Sequence, residues 1–332
     1  MAAVFRFGFR QAVPWSSDHL VEDVRWSLAA MDPRVGRLRC GSFTASDGAE
    51  IPYRLWLARK PRAAILLLHG ACDYSGSFDE VAPSLARKGF TALAIDQRGF
   101  GATASRGTWS GRDRMGEDVA DAARFLERRL PKHLPLFILG ESMGGAIAIT
   151  ATSRKSVKAA GLILISPGAV ASLFWSTVFA VSVWLLRWMP RTRELVFDRL
   201  SGWDLSPGAA IRLMGDPLVV RAIRPEILSG LLELSCSVVL EAKQVVIPTL
   251  TLVAARDDIL LEACIRQLHD NLAGPKAWEV IDGPHLLLQW QRGHEVLARA
   301  RKWINRRLAE ASVQRPDLVR SITKSSHAAA VD

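Results

Sequence analysis

One short passage restricts what this chain can fold into more than any other. Residues 134–139 form an apolar run, Gly140-Glu141-Ser142-Met143-Gly144-Gly145 follows, and residues 146–151 are again small or apolar. A short apolar run closed by glycine reads as a buried strand, and the small-residue run after it reads as a tightly packed helix. The turn joining them is too tight for side chains at positions 140 and 144, which would strike neighbouring backbone. A serine at such a turn is held above the end of a sheet, at a helix N-terminus that favours negative charge. The pattern G-x-S-x-G in this strand–turn–helix setting predicts that Ser142 is a nucleophile.

The flanking sequence repeats the same rhythm. Strands are expected at residues 51–57, 63–68, 91–95, 160–165, 249–254 and 278–281. Helices are expected at 78–88, at 113–130 with Pro131 as the stop, near 261–272 and at 293–308. Strands separated by helices imply a mainly parallel sheet flanked by helices on both faces. Chemistry in such sheets gathers at the carboxyl ends of the strands. His69-Gly70, Asp96, Ser142, Asp257 and His285 all fall just past predicted strands. The rhythm breaks at residues 167–246, which read as helices and loops without strands. The 332 residues therefore divide into an N-terminal extension (residues 1–38), a core (39–166 and 247–308), an inserted helical cap (167–246) and a polar, disordered tail (309–332).

A serine hydroxyl needs a base to remove its proton and a carboxylate to orient that base. In this type of fold the order along the chain is Ser, then Asp or Glu, then His. Of seven histidines, His285 follows a strand, in Asp282-Gly283-Pro284-His285, where a loop can hang its ring over the sheet. His294 starts the last helix and faces solvent, His269 lies on a helix, and His327 lies in the tail. Asp257 is the first carboxylate past the strand at 249–254, with Asp258 as the neighbouring alternative. The negative charge of the reaction needs two pre-aimed donors. The N–H of Met143 supplies one, and the N–H of Ala71, in the loop after the strand at 63–68, supplies the other. His69 precedes Ser142 and reads as structural.

Hydrophobic residues make up 49% of the chain and charged residues 23%, as in a core-forming globular protein, and the net charge is +10. That charge draws a protein toward anionic lipid or substrate. No stretch interleaves basic and aromatic residues as a nucleic-acid module does, so nucleic acid is not an expected partner. Cys40, Cys72, Cys236 and Cys264 are far apart and form no CxxC pair. They read as reduced, mostly buried thiols of a cytoplasmic protein. Residues 1–10 carry Arg6 and Arg10 inside an apolar stretch and lack a secretory signal pattern.

These motifs carry a family resemblance. Leu68-His69-Gly70-Ala71, Tyr74-Ser75-Gly76-Ser77-Phe78, Gly89-Phe90, Asp96-Gln97-Arg98-Gly99-Phe100-Gly101 and Gly140 to Gly145 resemble the monoacylglycerol lipase and lysophospholipase group of α/β hydrolases. That group shades into sequences labelled serine aminopeptidase-like. The resemblance covers residues 43–308 and implies the α/β-hydrolase fold, the triad Ser142, Asp257 and His285, and Ala71 and Met143 as oxyanion donors. It implies no metal or organic cofactor. The chain departs from the group at Glu141, where a histidine is frequent, at Phe100, where Arg-Gly-His-Gly is usual, and at Cys72-Asp73.

The cap contains 19 consecutive uncharged residues, 168–186, including Phe174, Trp175, Phe179 and Trp184. This is near the length of a membrane span. A single crossing would put Ser142 on one side of the bilayer and Asp257 and His285 on the other, so the segment reads as a cap helix. Its apolar face can dip into lipid while Arg187, Arg191 and Arg193 meet anionic headgroups, making the protein a peripheral membrane one. The residues thus point to hydrolysis of a carboxylic ester with a medium or long acyl chain. A peptidase or amidase with the same triad is the second reading, and a non-catalytic binding protein of this fold is a distant third. Epoxide hydrolases and dehalogenases of the fold need aspartate at position 142, and the epoxide enzymes need cap tyrosines. Here the two tyrosines, Tyr53 and Tyr74, lie outside the cap.

Overall fold

A computed structural model describes residues 38–170, the backbone of 195–196, and residues 204–314. The apolar runs form the strands of one eight-stranded sheet. In chain order these are β1 (Leu38–Thr44), β2 (Glu50–Trp56), β3 (Ala63–Leu68), β4 (Phe90–Ile95), β5 (Leu136–Glu141), β6 (Gly161–Ile165), β9 (Thr249–Arg256) and β10 (Lys276–Pro284). Their spatial order is β1-β2-β4-β3-β5-β6-β9-β10. β2 runs antiparallel to both of its neighbours, and every other pairing is parallel.

Every residue of β3, β4, β5 and β6 is buried, which is why these strands are continuous apolar runs rather than alternating ones. Alternate side chains enter different layers. Leu66 and Leu68 pack with Val119, Ile147 and Val238, from the helices Arg112–Glu127, Met143–Ser153 and Pro225–Glu241. Ile65 and Leu67 pack with Leu85, Val296 and Ile304, from Ala82–Arg87 and Gly293–Gln314.

The structure departs from the sequence reading in several places. The expected helix over 78–88 is divided into a 3-10 turn, Ser75–Phe78, and the helix Ala82–Arg87, because Pro83 suits only a first helical turn. The strand expected at 134 starts at Leu136, since Pro135 has no N–H to give the ladder. The insertion does contain strand: β7 (Leu195–Val196) pairs with β8 (Ala222–Ile223) as a two-residue antiparallel ribbon. The last helix runs on past Leu308 to Gln314, helped by Arg306 and Arg307 pairing with Glu310. The cysteines are not mostly buried, Cys40 being exposed on the edge strand and the other three half-buried. The extension 1–37, most of the apolar cap run (171–186) and the tail beyond 314 lie outside the described residues. Among the described residues no helix is long and apolar enough to cross a membrane.

Candidate active site

The turn after β5 is as tight as its glycines suggest. A Cβ on Gly140 would lie 2.4 Å from the carbonyl of Gly144, and one on Gly144 would lie 2.2 Å from the carbonyl oxygen of Leu68. Between them Ser142 sits at φ 54° and ψ −117°, in a region that non-glycine residues seldom occupy. Such strain persists only where the surroundings fix it. The Ser142 N–H donates to the Ile165 carbonyl at 2.9 Å, and the Ser142 carbonyl accepts from the N–H groups of Gly145, Ala146 and Gly168 at 3.0, 3.2 and 2.9 Å. The side chain is thereby left pointing away from the sheet.

Strand register brings the other two groups together. β9 and β10 are parallel neighbours in which Pro284 pairs with Arg256, so the next residues, His285 and Asp257, leave the sheet side by side. Asp257 Oδ1 accepts from the N–H groups of Ile259 and Leu260 at 2.9 and 2.8 Å. This fixes the carboxylate with Oδ2 2.7 Å from His285 Nδ1. In the neutral ring with its proton on Nδ1, Nε2 accepts from Ser142 Oγ at 2.9 Å. The carboxylate bonded to Nδ1 is thus that of Asp257. Burial pulls the His285 pKa down, but the charges of Asp257, Glu141 and Asp258 outweigh it and leave it above the usual histidine value.

Ala71 and Met143 both line the cavity that holds Ser142. Met143 opens its helix, so its N–H is one of the four without an acceptor inside that helix. The loop of Ala71 abuts the serine, a Cβ on Gly70 falling 3.6 Å from Ser142 Cβ. The remaining wall is mostly aliphatic and includes Leu213, Val219, Leu228, Leu231, Leu232 and Leu260. Cys72 lines it too, but burial raises its thiol pKa and the charge of Asp73 raises it further, so the sulfur stays protonated.

Among the described residues, His69, His269 and His294 stand elsewhere. His69 is buried, accepts through Nε2 from the Gln97 N–H at 2.9 Å, and lies with Nδ1 2.7 Å from the Gly70 carbonyl. Burial lowers its pKa, which keeps the ring neutral. His269 is buried against Thr251, and His294 is exposed. Asp96 is buried and organises loops, accepting from the N–H groups of Ser75 and Ala102. Among the described residues no cluster of His, Cys, Asp or Glu is arranged to hold a metal ion.

No sequence pattern signals the buried polar chain beside the site. Glu141, seen before only as a departure from a familiar motif, accepts from the Leu288 N–H at 2.9 Å and from Gln289 Nε2 at 3.3 Å. Burial raises its pKa, and those two donors oppose the rise. Gln289 and Asp73 each also bond to Arg212. Each residue is ordinary alone, and the contacts join positions far apart in the chain.

The chain is similar to known proteins in family, in sequence and in fold. The model of the family described as serine aminopeptidase, S33, matches residues 59–289. The chain is 31% identical over 186 residues to the monoglyceride lipase of Homo sapiens, covering 53% of this chain and 59% of that one. It is 33% identical over 129 residues to the monoglyceride lipase of Rattus norvegicus, covering 38% and 42%. The chain thus spans about half the length of these two relatives. A monoacylglycerol lipase of Mycolicibacterium smegmatis is 28% identical over 239 residues, 70% of this chain and 84% of that one. Among solved structures, a carboxyl esterase of Bacillus coagulans superposes with a TM-score of 0.67 at 19% identity, over 82% of this chain and 99% of that one. The monoacylglycerol lipase of Paleococcus ferrophilus superposes at 0.63 and 19% identity, over the same shares. At such identities the superpositions establish the fold.

Proposed function

We propose, since this chain belongs to the serine aminopeptidase S33 family and has the α/β-hydrolase fold, that it hydrolyses carboxylic esters of medium or long acyl chains. Monoacylglycerols and lysophospholipids are the substrate types we favour. The observation that carries the reading is Ser142 Oγ, 2.9 Å from a histidine anchored on a carboxylate, at the floor of an aliphatic cavity. In this reading Ser142 Oγ attacks the ester carbonyl as His285 Nε2 takes its proton. The oxyanion is met by the N–H groups of Met143 and Ala71. His285 then returns the proton to the leaving alcohol, and water releases the acid by the same steps.

A peptidase would need a free acid in the cavity for the substrate ammonium. Asp73 is the one acidic side chain among the described residues that line it, and Arg212 already pairs with it. That pairing supports the ester reading. The relatives named as monoglyceride lipases support it too. We extend the reading to a peripheral protein that meets lipid through its cap, where Ile211 is 73% and Met214 69% exposed and the chain is cationic overall.

The test is fatty-acid release from monoacylglycerol and from lysophospholipid, each presented in neutral and in anionic vesicles. The reading expects turnover of at least one lipid, faster on anionic vesicles at low salt, with the preferred headgroup defining the enzyme. No turnover of either by folded protein would contradict it and leave short esters and aminoacyl amides to be tried.

A further inference from the structure

The helix Pro207–Gly215 belongs to the segment between β6 and β9, yet one of its side chains touches both loops that carry the proposed catalytic groups. Arg212 Nη1 donates to Asp73 Oδ1 at 2.7 Å, and Nη2 donates to Gln289 Oε1 at 2.5 Å. The Arg212 side chain is 11% exposed, and Asp73 and Gln289 are buried. Gln289 Nε2 donates onward to Glu141. The chain Asp73–Arg212–Gln289–Glu141 is therefore anchored beside all three parts of the machinery. Asp73 follows Ala71 in the oxyanion loop, Gln289 follows His285 in its loop, and Glu141 directly precedes Ser142.

Two buried carboxylates, Asp73 and Glu141, stand on this wall, and Arg212 is the cation between them. The planar guanidinium holds two acceptors at a fixed separation, which a lysine ammonium does not. The backbone around the helix is clamped to the same loops. The Ser206 N–H donates to the Gln289 carbonyl and the Val220 N–H to the Cys72 carbonyl, both at 2.8 Å. Tyr74 Oη donates to Asp216 Oδ2 at 2.5 Å. The guanidinium is thus carried at a set distance from both loops whenever this helix is seated.

We propose that Arg212 is a positioning residue that locks the Ala71 loop and the His285 loop into one arrangement, so that catalytic geometry depends on the seating of a cap helix over the site. The proposal rests on the ester-hydrolase reading. Its effect is to couple closure to chemistry: with the helix displaced, Ser142 remains but its base and oxyanion donor lose their register.

The experiment measures kcat and KM separately for a short, water-soluble p-nitrophenyl ester, which makes little use of the acyl cavity. Wild type, Arg212→Lys and Arg212→Ala are compared, with circular dichroism as a check on folding. Displacing reacting groups by about 1 Å costs up to about a hundredfold. Both variants should therefore lose tenfold or more in kcat with KM changed less than threefold, and added guanidinium should restore part of the rate to Arg212→Ala. Arg212→Lys keeps the charge and the apolar stem and covers the case in which the alanine variant does not fold. A lysine variant with wild-type kcat, or a folded alanine variant deaf to guanidinium, overturns the proposal and leaves the ester reading intact. A folded wild type inert toward every ester overturns both.

Discussion

At His285, burial and charge act against each other, and the balance predicts how activity responds to pH. In the proposed mechanism the imidazole must be neutral to take the serine proton, so the rate should rise as pH passes upward through its pKa. That pKa lies above the usual histidine value, because the pull of Asp257, Glu141 and Asp258 exceeds the cost of burial. Asp257→Asn removes the nearest of these charges and lowers the pKa, so the acid limb of the profile moves to lower pH. It also frees the ring to take the wrong tautomer, and the plateau should fall by about a thousandfold to ten-thousandfold. A pH–rate series on a soluble ester checks both. A limb that stays in place would show that Asp257 does not set the charge state of the base. At this scale the placing of His285 beside Ser142 was legible because His285 follows a strand and comes after Ser142 in the chain. Asp257 was preferred over Asp258 as the first carboxylate past its strand, but what fixes its orientation, the Ile259 and Leu260 N–H groups on Oδ1, left no trace in the sequence.

At the scale of elements, the strand–turn–helix around Ser142 is set by backbone clearance. The carbonyl oxygen of Leu68 would stand 2.2 Å from a methyl at position 144, and neither β3 nor the helix Met143–Ser153 can yield without opening the buried sheet. Gly144→Ala should therefore destabilise the fold by more than 1 kcal/mol and depress activity beyond what the lost stability explains. Gly215, at the end of the helix Pro207–Gly215, has nothing within 4 Å of an added Cβ and no positive φ. Gly215→Ala should stabilise by about 0.5–1 kcal/mol with activity unchanged. Urea titration of the two variants decides the matter, and equal effects would contradict the steric account. The buried strands were legible because an apolar run between glycine or proline signals has few other uses. The β7–β8 ribbon was not, because two residues give no period to read. Arg212 escaped for a different reason: its partners Asp73 and Gln289 are set by how the inserted helix docks.

On the scale of the whole molecule, the sheet order gathers residues separated by more than a hundred positions at one edge. Ser142 follows β5, Asp257 follows β9 and His285 follows β10. Only β6 lies between the first of these strands and the second. The insertion between β6 and β9 then roofs the site with aliphatic side chains from the helix Pro225–Glu241. Fold class was legible in the alternation of strands and helices, whereas pocket shape was not, because it depends on how the cap helices pack. The account stands or falls on one claim, that this arrangement makes Ser142 a nucleophile. The most direct test is to treat the folded protein with a fluorophosphonate and map the adduct by mass spectrometry, beside Ser142→Ala and His285→Ala. The account predicts one adduct per chain on the Ser142 peptide, none in Ser142→Ala, and labelling slowed by about a thousandfold or more in His285→Ala. Labelling at another residue, or a His285→Ala variant labelled at the wild-type rate, would contradict it.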